Sequence, residues 1–444
     1  MESWESGLIS VRAALLLVAL FAITTVPGWA QWTTPTEAQA LRQAAVSRTA
    51  YTLPPEKLKI AQTLFQTRTT LHFVGEGWGI LQLVLLLVLR VPARIRNVAE
   101  NLTKKRWGQG FVFVFLFLLA ITLLDIPLRI YGHHVAVAYG LSVQGWGSWI
   151  WDQTKGFLLT WLVGSLLVIV LFWVIRKSPE HWWFWFWIPT MAGVLFGVFI
   201  SPIVVDPMFN KFEPLQQTNP ALVAQLEKVV ARSGVSLPPD RMFFMRASQK
   251  VTSLNAYVTG FGPSKRLVLW DTTIAAATPD ELSGIFGHEL GHYALNHIVL
   301  GLLFTALLTL IGFFVGQRAT HWLLRYKDRW GIRSQNDWAC LAVLVLVLNV
   351  LNFCSEPIEN GFSRAIEHNA DVYGQEAIHG IVADPQATTQ QGFQRLGETS
   401  LDDPTPHPFV EFWTDSHPST ASRAAFAATY NPWIAGQHPK YFRP

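Results

Sequence analysis

The chain has 444 residues, of which half are hydrophobic and only 14% are charged, and it contains 20 tryptophans. This composition excludes an ordinary soluble enzyme and indicates an integral membrane protein. The net charge of +4 comes from cations spread over the loops. The chain lacks the long basic run that indicates nucleic-acid binding, so we expect no nucleic-acid partner.

The first apolar segment covers about residues 13–26 and is followed by Pro27-Gly28-Trp29-Ala30. It is short for a membrane span, and Ala30 has the small side chain that precedes a signal-peptidase cleavage site. A signal peptide over residues 1–30 and a retained first span are therefore both open interpretations. The polar stretch that follows is predicted to be helical at about residues 36–48.

Six further apolar segments are predicted to span the membrane. They lie at about residues 73–91, 111–130, 157–175, 182–205, 298–315 and 338–353. Together with the first segment they predict a mainly α fold, a polytopic helical bundle of about seven spans in the lipid bilayer. Both cysteines, Cys340 and Cys354, fall in the last segment, where a helix would hold them roughly 20 Å apart and prevent a disulfide.

Residues 206–296 have the character of a soluble domain. Residues 220–233 are predicted to form a helix, and residues 241–245 and 266–270 are predicted to form strands. The second strand directly precedes a metal-binding motif. This order suits a protease, because an edge strand can pair with an extended peptide and present its scissile bond to a metal.

The metal-binding motif is H-E-x-x-H. His288 and His292 are four residues apart, so both imidazoles project from one face of a helix and can bind one ion. In such proteins the two histidines hold Zn²⁺, and the glutamate, here Glu289, accepts a proton from the attacking water. Thr278-Pro279-Asp280-Glu281 is a helix N-terminus signature with a Thr cap. The alternative is two partly buried histidines on an amphipathic helix.

A catalytic zinc site needs a third protein ligand and one open position. His297 is the nearest candidate, but it follows His292 by five residues. Leu295 also occupies the position where the class H-E-x-x-H-x-x-G-x-x-H requires glycine. That class is therefore excluded.

Residues 363–371 supply a better third ligand. On a helix, Arg364, Glu367 and Asp371 share one face, so Glu367 can bind the metal while Asp371 accepts a hydrogen bond from a zinc-bound histidine. Arg364 could orient a carboxylate or polarise a substrate carbonyl. An ordinary set of charges on a solvated helix is the alternative. His368 is the rival ligand, although it points about 100° away from Glu367.

These segments predict five regions along the chain. Residues 1–30 form the signal peptide or first span, and residues 31–205 form the span bundle. Residues 206–297 form the metalloprotease domain, and residues 298–355 form two spans with their connecting loop. Residues 356–444 form a C-terminal region that carries the third ligand.

Five motifs, taken together, resemble the type I CAAX prenyl proteases, which are integral-membrane zinc endopeptidases that process the yeast a-factor precursor and prelamin A. The resemblance covers most of the chain and is most secure from Trp182 onward. The motifs are residues 206–215 (DPMFNKFEPL), 255–257 (NAY) with 265–271 (KRLVLWD), 287–297 around H-E-x-x-H, 363–371 (SRAIEHNAD), and 416–418 (SHP) with Arg423.

The resemblance implies seven membrane helices that enclose a large water-filled chamber. A small α+β, zincin-like metalloprotease domain would open its zinc site onto this chamber. One Zn²⁺ ion would be bound by His288, His292 and Glu367, with Glu289 as the general base. Asn255 would hold the substrate backbone. His417 would stabilise the tetrahedral intermediate as an oxyanion donor. The implied substrates are farnesylated proteins.

Two features depart from the eukaryotic pattern. The acidic insertion that some members carry between Asp271 and the metal helix is absent. The cationic residues of the short loops are concentrated at residues 90–106 and 318–333, on the opposite side from the metalloprotease domain. If the protein is bacterial, the positive-inside rule therefore predicts an extracytoplasmic zinc site. That location argues against prenylated substrates, because prenylation modifies cytosolic proteins.

The sequence leaves three functions to distinguish. The first is a membrane zinc endopeptidase of the CAAX-processing type, acting on a peptide or protein substrate. The second is a bacterial envelope protease that degrades misfolded membrane or exported proteins with the same site. The third is a multi-span transporter or catalytically inactive scaffold in which His288 and His292 are only structural.

Overall fold

The computed structural model describes residues 33–46, 50–260 and 265–442. The predicted first apolar segment, residues 13–26, lies outside them. The strands are β1 Phe212–Pro214, β2 Met242–Met245, β3 Ala256–Thr259 and β4 Arg266–Trp270. The helices are α1 Pro35–Val46, α2 Pro55–Val88, α3 Val91–Leu102, α4 Arg106–Ala138, α5 Trp146–Lys177, α6 Trp182–Ile200, α7 Asp206–Phe209, α8 Leu215–Thr218, α9 Pro220–Ser233, α10 Asp271–Ala276, α11 Pro279–Ala294, α12 His297–Leu323, α13 Lys327–Trp330, α14 Leu341–Ala377, α15 Pro385–Ser400, α16 Pro408–Thr414 and α17 Thr420–Thr429.

Within the described residues, six helical segments are long and apolar enough to cross a membrane. They are α2, α4, α5, α6 continued by α7, α12 continued to α13, and α14 with the turn before it. Each contains most of one predicted span, so those six predictions are confirmed. The segments have 28 to 40 residues, whereas about 20 cross the hydrocarbon core. The polar helix ends, such as the first turns of α2, therefore extend the bundle beyond the apolar runs.

The six spans form a closed ring. Each contacts two neighbours, in the order α2, α4, α5, α6, α12, α14 and back to α2. Three contacts include an indole N–H that donates to a main-chain carbonyl oxygen of the next helix, at 2.9 to 3.2 Å. The donor and acceptor pairs are Trp78 with Leu124, Trp161 with Phe111, and Trp187 with Ala306. The ring encloses a central chamber, which confirms the predicted fold class.

An aromatic core closes one end of the ring. Trp338 is buried at the start of the last span, and its ring centroid lies 4.8 Å from that of Phe172. Apolar residues from α2, α4, α5 and α6 complete this core. Beyond it, the two cation-rich loops meet, since Arg96 donates to Asp337 at 2.5 Å and to the carbonyl of Gly331 at 2.9 Å. Residues 206–297, the predicted metalloprotease domain, join the opposite end of the ring.

The metalloprotease domain contains a four-stranded sheet in the order β1-β2-β4-β3. Strands β2 and β4 are parallel, and the two outer pairs are antiparallel. The expectation that residues 266–270 form an edge strand is wrong, because β4 pairs on both sides. Its three central residues, Leu267, Val268 and Leu269, are fully buried, as is typical of an interior strand. The edge strands are β1 and β3, and β3, which packs beside the metal helix, was not predicted as a strand.

Helices α11 and α14, which carry the H-E-x-x-H motif and Glu367, cross with their main chains almost in contact. A Cβ atom at Gly374 would lie 2.6 Å from the main-chain nitrogen of His288. One at Gly287 would lie 3.0 Å from the carbonyl oxygen of Gly374, and Gly291 is equally close to α14. Small residues at a crossing point let two helix backbones approach closely. The crossing brings the Glu367 side chain to the two histidines.

We expect Gly374→Ala to destabilise the protein by about 1–3 kcal/mol, because the added methyl group forces α11 and α14 apart. The metal content of this variant should also fall, because the third ligand, Glu367, moves away from the two histidines. Thermal unfolding and elemental analysis of the purified protein measure the two effects. Gly361→Ala is the matched control on α14, where a Cβ has its nearest neighbour at 3.8 Å. Equal behaviour of the two variants would show that the close crossing is dispensable.

Candidate metal centre

The structure brings the three predicted ligands together. The Nε2 atoms of His288 and His292 are 3.1 Å apart, and the carboxylate oxygens of Glu367 lie 3.2 and 3.5 Å from them. Each residue offers a donor atom within 4.8 Å of the others. Glu367 is buried, and its Oε2 atom accepts no hydrogen bond from the described residues. A cation would satisfy this oxygen, so the donor set fits a metal of the His₂Glu type.

The start of α11 is fixed as the sequence predicts. Thr278 and Glu281 form a capping box, in which the Thr278 amide donates to the Glu281 carboxylate at 2.7 Å. Arg395 on α15 adds two hydrogen bonds to the same carboxylate, at 3.0 and 3.1 Å. No sequence signal indicated this last contact, because the two residues are 114 positions apart. The capping box and the Arg395 hydrogen bonds together fix the N-terminus of the H-E-x-x-H helix.

Asp371 lies behind the first ligand. Its Oδ1 atom is 2.8 Å from Nδ1 of His288, and Arg423 donates to both carboxylate oxygens at 2.8 and 2.6 Å. A carboxylate at this place fixes the ring orientation of a metal-binding histidine. Burial alone would lower the pKa of His288, but Asp371 and Glu367 outweigh it and raise that pKa. Metal binding requires an unprotonated ring nitrogen, so a metal competes with a proton at His288.

The two rival ligands point elsewhere. Nδ1 of His297 lies 3.1 Å from Nδ1 of His292, on the side of the ring away from Glu367. His368 is directed toward the N-terminal helix α1, where its Nε2 atom lies 3.6 Å from Glu37. His297 is thus placed to orient His292 from behind. The spacing of His297 from His292 was weighed only for a metal ligand, so this contact was not predicted.

Glu289 faces the edge strand. The main-chain N–H of Val258 on β3 donates to its Oε2 atom at 3.2 Å. Burial raises the pKa of Glu289, although the neighbouring histidines oppose this shift. A raised carboxyl pKa suits a general base, which must accept and then release a proton near neutral pH.

Two of the three remaining predicted site residues, Asn255 and His417, lie around the same cavity. His288, Glu289, His417 and Asn255 all line a space of about 410 Å³. The Nε2 atom of His417 is 3.3 Å from Oε2 of Glu367. Asn255 is exposed and immediately precedes β3. The cavity is therefore bordered by one predicted ligand, His288, by Glu289, by the start of β3 and by His417.

Arg364 makes contacts that the sequence did not predict. Its guanidinium donates to the main-chain carbonyls of Glu411, Phe412 and Asp415, at 2.9, 3.3 and 2.5 Å. These carbonyls lie at the C-terminal end of α16, where Asp415 is the first residue after the helix. The guanidinium thus holds the segment that leads to His417, rather than facing the cavity.

Comparisons with known proteins agree with this fold and donor set, which together define a membrane metalloprotease. Residues 38–211 match the family "CAAX prenyl protease N-terminal, five membrane helices", and residues 216–430 match "Peptidase family M48". The chain belongs to peptidase family M48. It is therefore a metal-dependent, multi-pass integral membrane protease that acts on protein or peptide substrates.

Individual relatives extend the comparison. The chain is 32% identical to the uncharacterized metalloprotease YhfN of Bacillus subtilis, over 84% of this chain and 86% of that protein. It is 27% identical to a CAAX prenyl protease 1 homolog of Oryza sativa, over 83% and 86% of the two chains. The crystal structure of S. mikatae Ste24p shares the fold, with a TM-score of 0.72 at 21% identity, covering 93% of this chain and 98% of that one.

We expect Asp371→Asn to lower metal affinity about 10- to 100-fold, because the neutral side chain no longer balances Arg423 or orients His288. Competition with a chelator of known affinity measures this change. Asp280→Asn, at an exposed position in the first turn of α11, is the control and should bind metal like the wild type. Unchanged affinity in Asp371→Asn would contradict the orienting role.

Proposed function

We propose that this protein is a zinc-dependent endopeptidase that hydrolyses peptide bonds at the chamber end occupied by the metalloprotease domain. The convergence of His288, His292 and Glu367 carries the proposal, because two imidazoles and one carboxylate are the donor set of catalytic zinc in proteases. Zinc at this site would lower the pKa of a bound water toward neutrality.

Glu289 is the proposed general base. Its carboxylate lies beside the ligands and is oriented by the Val258 N–H. From this position it can accept the proton of the attacking water and pass it to the leaving amine. His417, across the cavity, is the proposed donor to the oxyanion that develops on the scissile carbonyl.

The free edge of β3 is the proposed binding site for the substrate main chain. Val258 directs its N–H away from β4 and toward the metal helix. An extended peptide can add to such an edge as a further strand. Asn255, at the start of the strand, is then placed to hydrogen-bond the substrate backbone near the cleaved bond.

Replacement of the base tests the catalytic assignment. We expect Glu289→Gln to lower kcat by a factor on the order of 10³ or more, because general-base assistance is lost while the ligands remain. Zinc content should stay at the wild-type level. Glu227→Gln, at an exposed position on α9, is the control and should keep full activity. Substantial activity in Glu289→Gln would contradict the assignment.

Arg364 is proposed to position His417 through the segment between α16 and α17. Arg364→Lys keeps the charge but loses the planar fork of donors. We expect kcat to fall about tenfold, with zinc content unchanged. Adding Arg364→Lys to His417→Ala should cause little further loss, since both variants disable the same donor. Fully additive losses would show that Arg364 acts independently of His417.

Prenylated proteins are the proposed substrates. This proposal follows from the rice relative and from CAAX prenyl protease 1 of Saccharomyces cerevisiae, which is 31% identical over 52% of this chain. Because the yeast match covers 49% of that protein, the substrate is transferred by analogy. Cleavage of a farnesylated CAAX peptide, set against the same peptide without the isoprenoid, tests this proposal.

A second candidate is an envelope quality-control protease, which the charge distribution favours. The cation-rich loops meet at the ring end opposite the metalloprotease domain. By the positive-inside rule, this distribution favours a metal centre outside the cytoplasm. Unfolded exported proteins would be the substrates there.

Surface labelling determines the side of the membrane. In a protein with Cys340 and Cys354 replaced by alanine, the quality-control function predicts that Glu227→Cys reacts with a membrane-impermeant maleimide added to intact cells. Lys104→Cys, in the cation-rich loop, should react only after the cells are opened. The reverse result would place the metal centre in the cytosol and remove the main support for quality control.

A further inference from the structure

A further cavity lies between α12 and α14, within the wall of the chamber. Its volume is about 290 Å³. The helices touch at both of its ends. Toward the metal centre, the rings of Phe304 and Phe362 stack 4.1 Å apart, and at the other end Gly316 faces Val347 and Leu351. The cavity is therefore a gap of defined length in an otherwise closed helix pair.

The gap extends from the lipid-facing side of the ring toward the chamber. Leu303 and Val350 are 63% and 40% exposed. Gly312 and Glu359 line the gap. Leu303 precedes Gly312 by nine residues, and Val350 precedes Glu359 by nine. Nine residues are about two and a half helical turns, so Leu303 and Val350 lie on the opposite faces of their helices. Exposed leucine and valine face lipid, whereas a carboxylate faces the bundle interior. Cys354 lines the gap and follows Val350 by one helical turn, which places it at the lipid-facing margin.

We infer that this gap holds the isoprenoid chain of a prenylated substrate while the attached peptide lies at the metal centre. The inference rests on the proposed function. A hydrocarbon chain in a water-filled chamber exposes apolar surface to water at a cost in free energy, and the gap removes that cost. Its lining is mainly aliphatic and aromatic, with Leu308, Ile311, Phe313, Leu348 and Leu351 among the residues.

The gap lies within reach of the metal centre along both helices. Glu359 precedes Glu367 by eight residues and Phe304 follows His297 by seven, which correspond to about 12 and 10 Å of helix rise. An isoprenoid of three or four units, attached to the residue before the cleaved bond, is long enough to cross this distance and enter the gap. A shorter chain of one unit is not.

Kinetics with two matched peptides test the inference. The peptides differ only in one cysteine, which is farnesylated or S-methylated. A Cβ at Gly312 meets no atom within 4 Å, so a side chain added there points into open space and Gly312→Leu should narrow the gap. We expect this variant to raise KM for the farnesylated peptide about tenfold, as for hydrophobic pockets that lose contacts with the substrate. KM for the methylated peptide should stay unchanged.

Gly164→Leu on α5 is the matched control, because a Cβ there also meets open space. It carries the same change in helix propensity and should behave as the wild type with both peptides. Equal changes in KM for the two peptides, or no change for either, would overturn the inference.

Cys354 provides a binding measurement that needs no turnover. Of the two cysteines in the chain, Cys340 is fully buried and Cys354 is exposed. In Glu289→Gln protein, we expect the farnesylated peptide to slow the reaction of Cys354 with a maleimide, and the methylated peptide to leave the rate unchanged. Equal rates would overturn the inference. Protection by phospholipid vesicles alone would overturn it too, by assigning the gap to membrane lipid.

The two proposals fail separately in these experiments. Hydrolysis of the methylated peptide that depends on Glu289 supports the endopeptidase whatever occupies the gap. If Gly312→Leu and Cys354 show no response to the isoprenoid while this hydrolysis persists, only the isoprenoid site is lost.

Discussion

The close crossing of α11 and α14 is the constraint on which the rest of the site depends. Glycines on both helices allow main-chain contact, and only at that separation does a glutamate side chain of α14 reach two histidines of α11. The same crossing places Asp371 behind His288, one helical turn after Glu367. The ligand Glu367 and the orienting carboxylate of Asp371 thus lie on one helix, so any movement of α14 shifts both residues together.

The spans are longer than the bilayer is thick, so their ends extend beyond it and can carry the residues of the site. α14 begins in the aromatic core at the cation-rich end and ends at the metal centre. Because the spans contact one another in a ring, the bundle encloses a central space. An extended peptide in this space would suit the proposed recognition by the β3 edge, which reads main-chain groups.

Much of the fold and the ligand set could be predicted because local sequence encodes them. The apolar runs predicted six spans, and the Thr278 capping signature predicted the start of α11. The spacing of His288 and His292 predicted a metal-binding site. Sheet order could not be predicted in this way. The short strand β3 lacks a marked pattern, and the edge position of a strand depends on which partners pair with it. The contacts of Arg364 and Arg395 join residues far apart in the chain. Sequence periodicity relates only near neighbours, so it could not predict these contacts.

The measurement that tests the central claim most directly is the metal content of purified wild-type protein and of Glu367→Gln. We expect stoichiometric zinc in the wild type and a large loss in the variant, with the helical fold retained by circular dichroism. His368 and His297 remain present in that variant as alternative ligands. Full zinc occupancy in Glu367→Gln would contradict a metal centre built across α11 and α14.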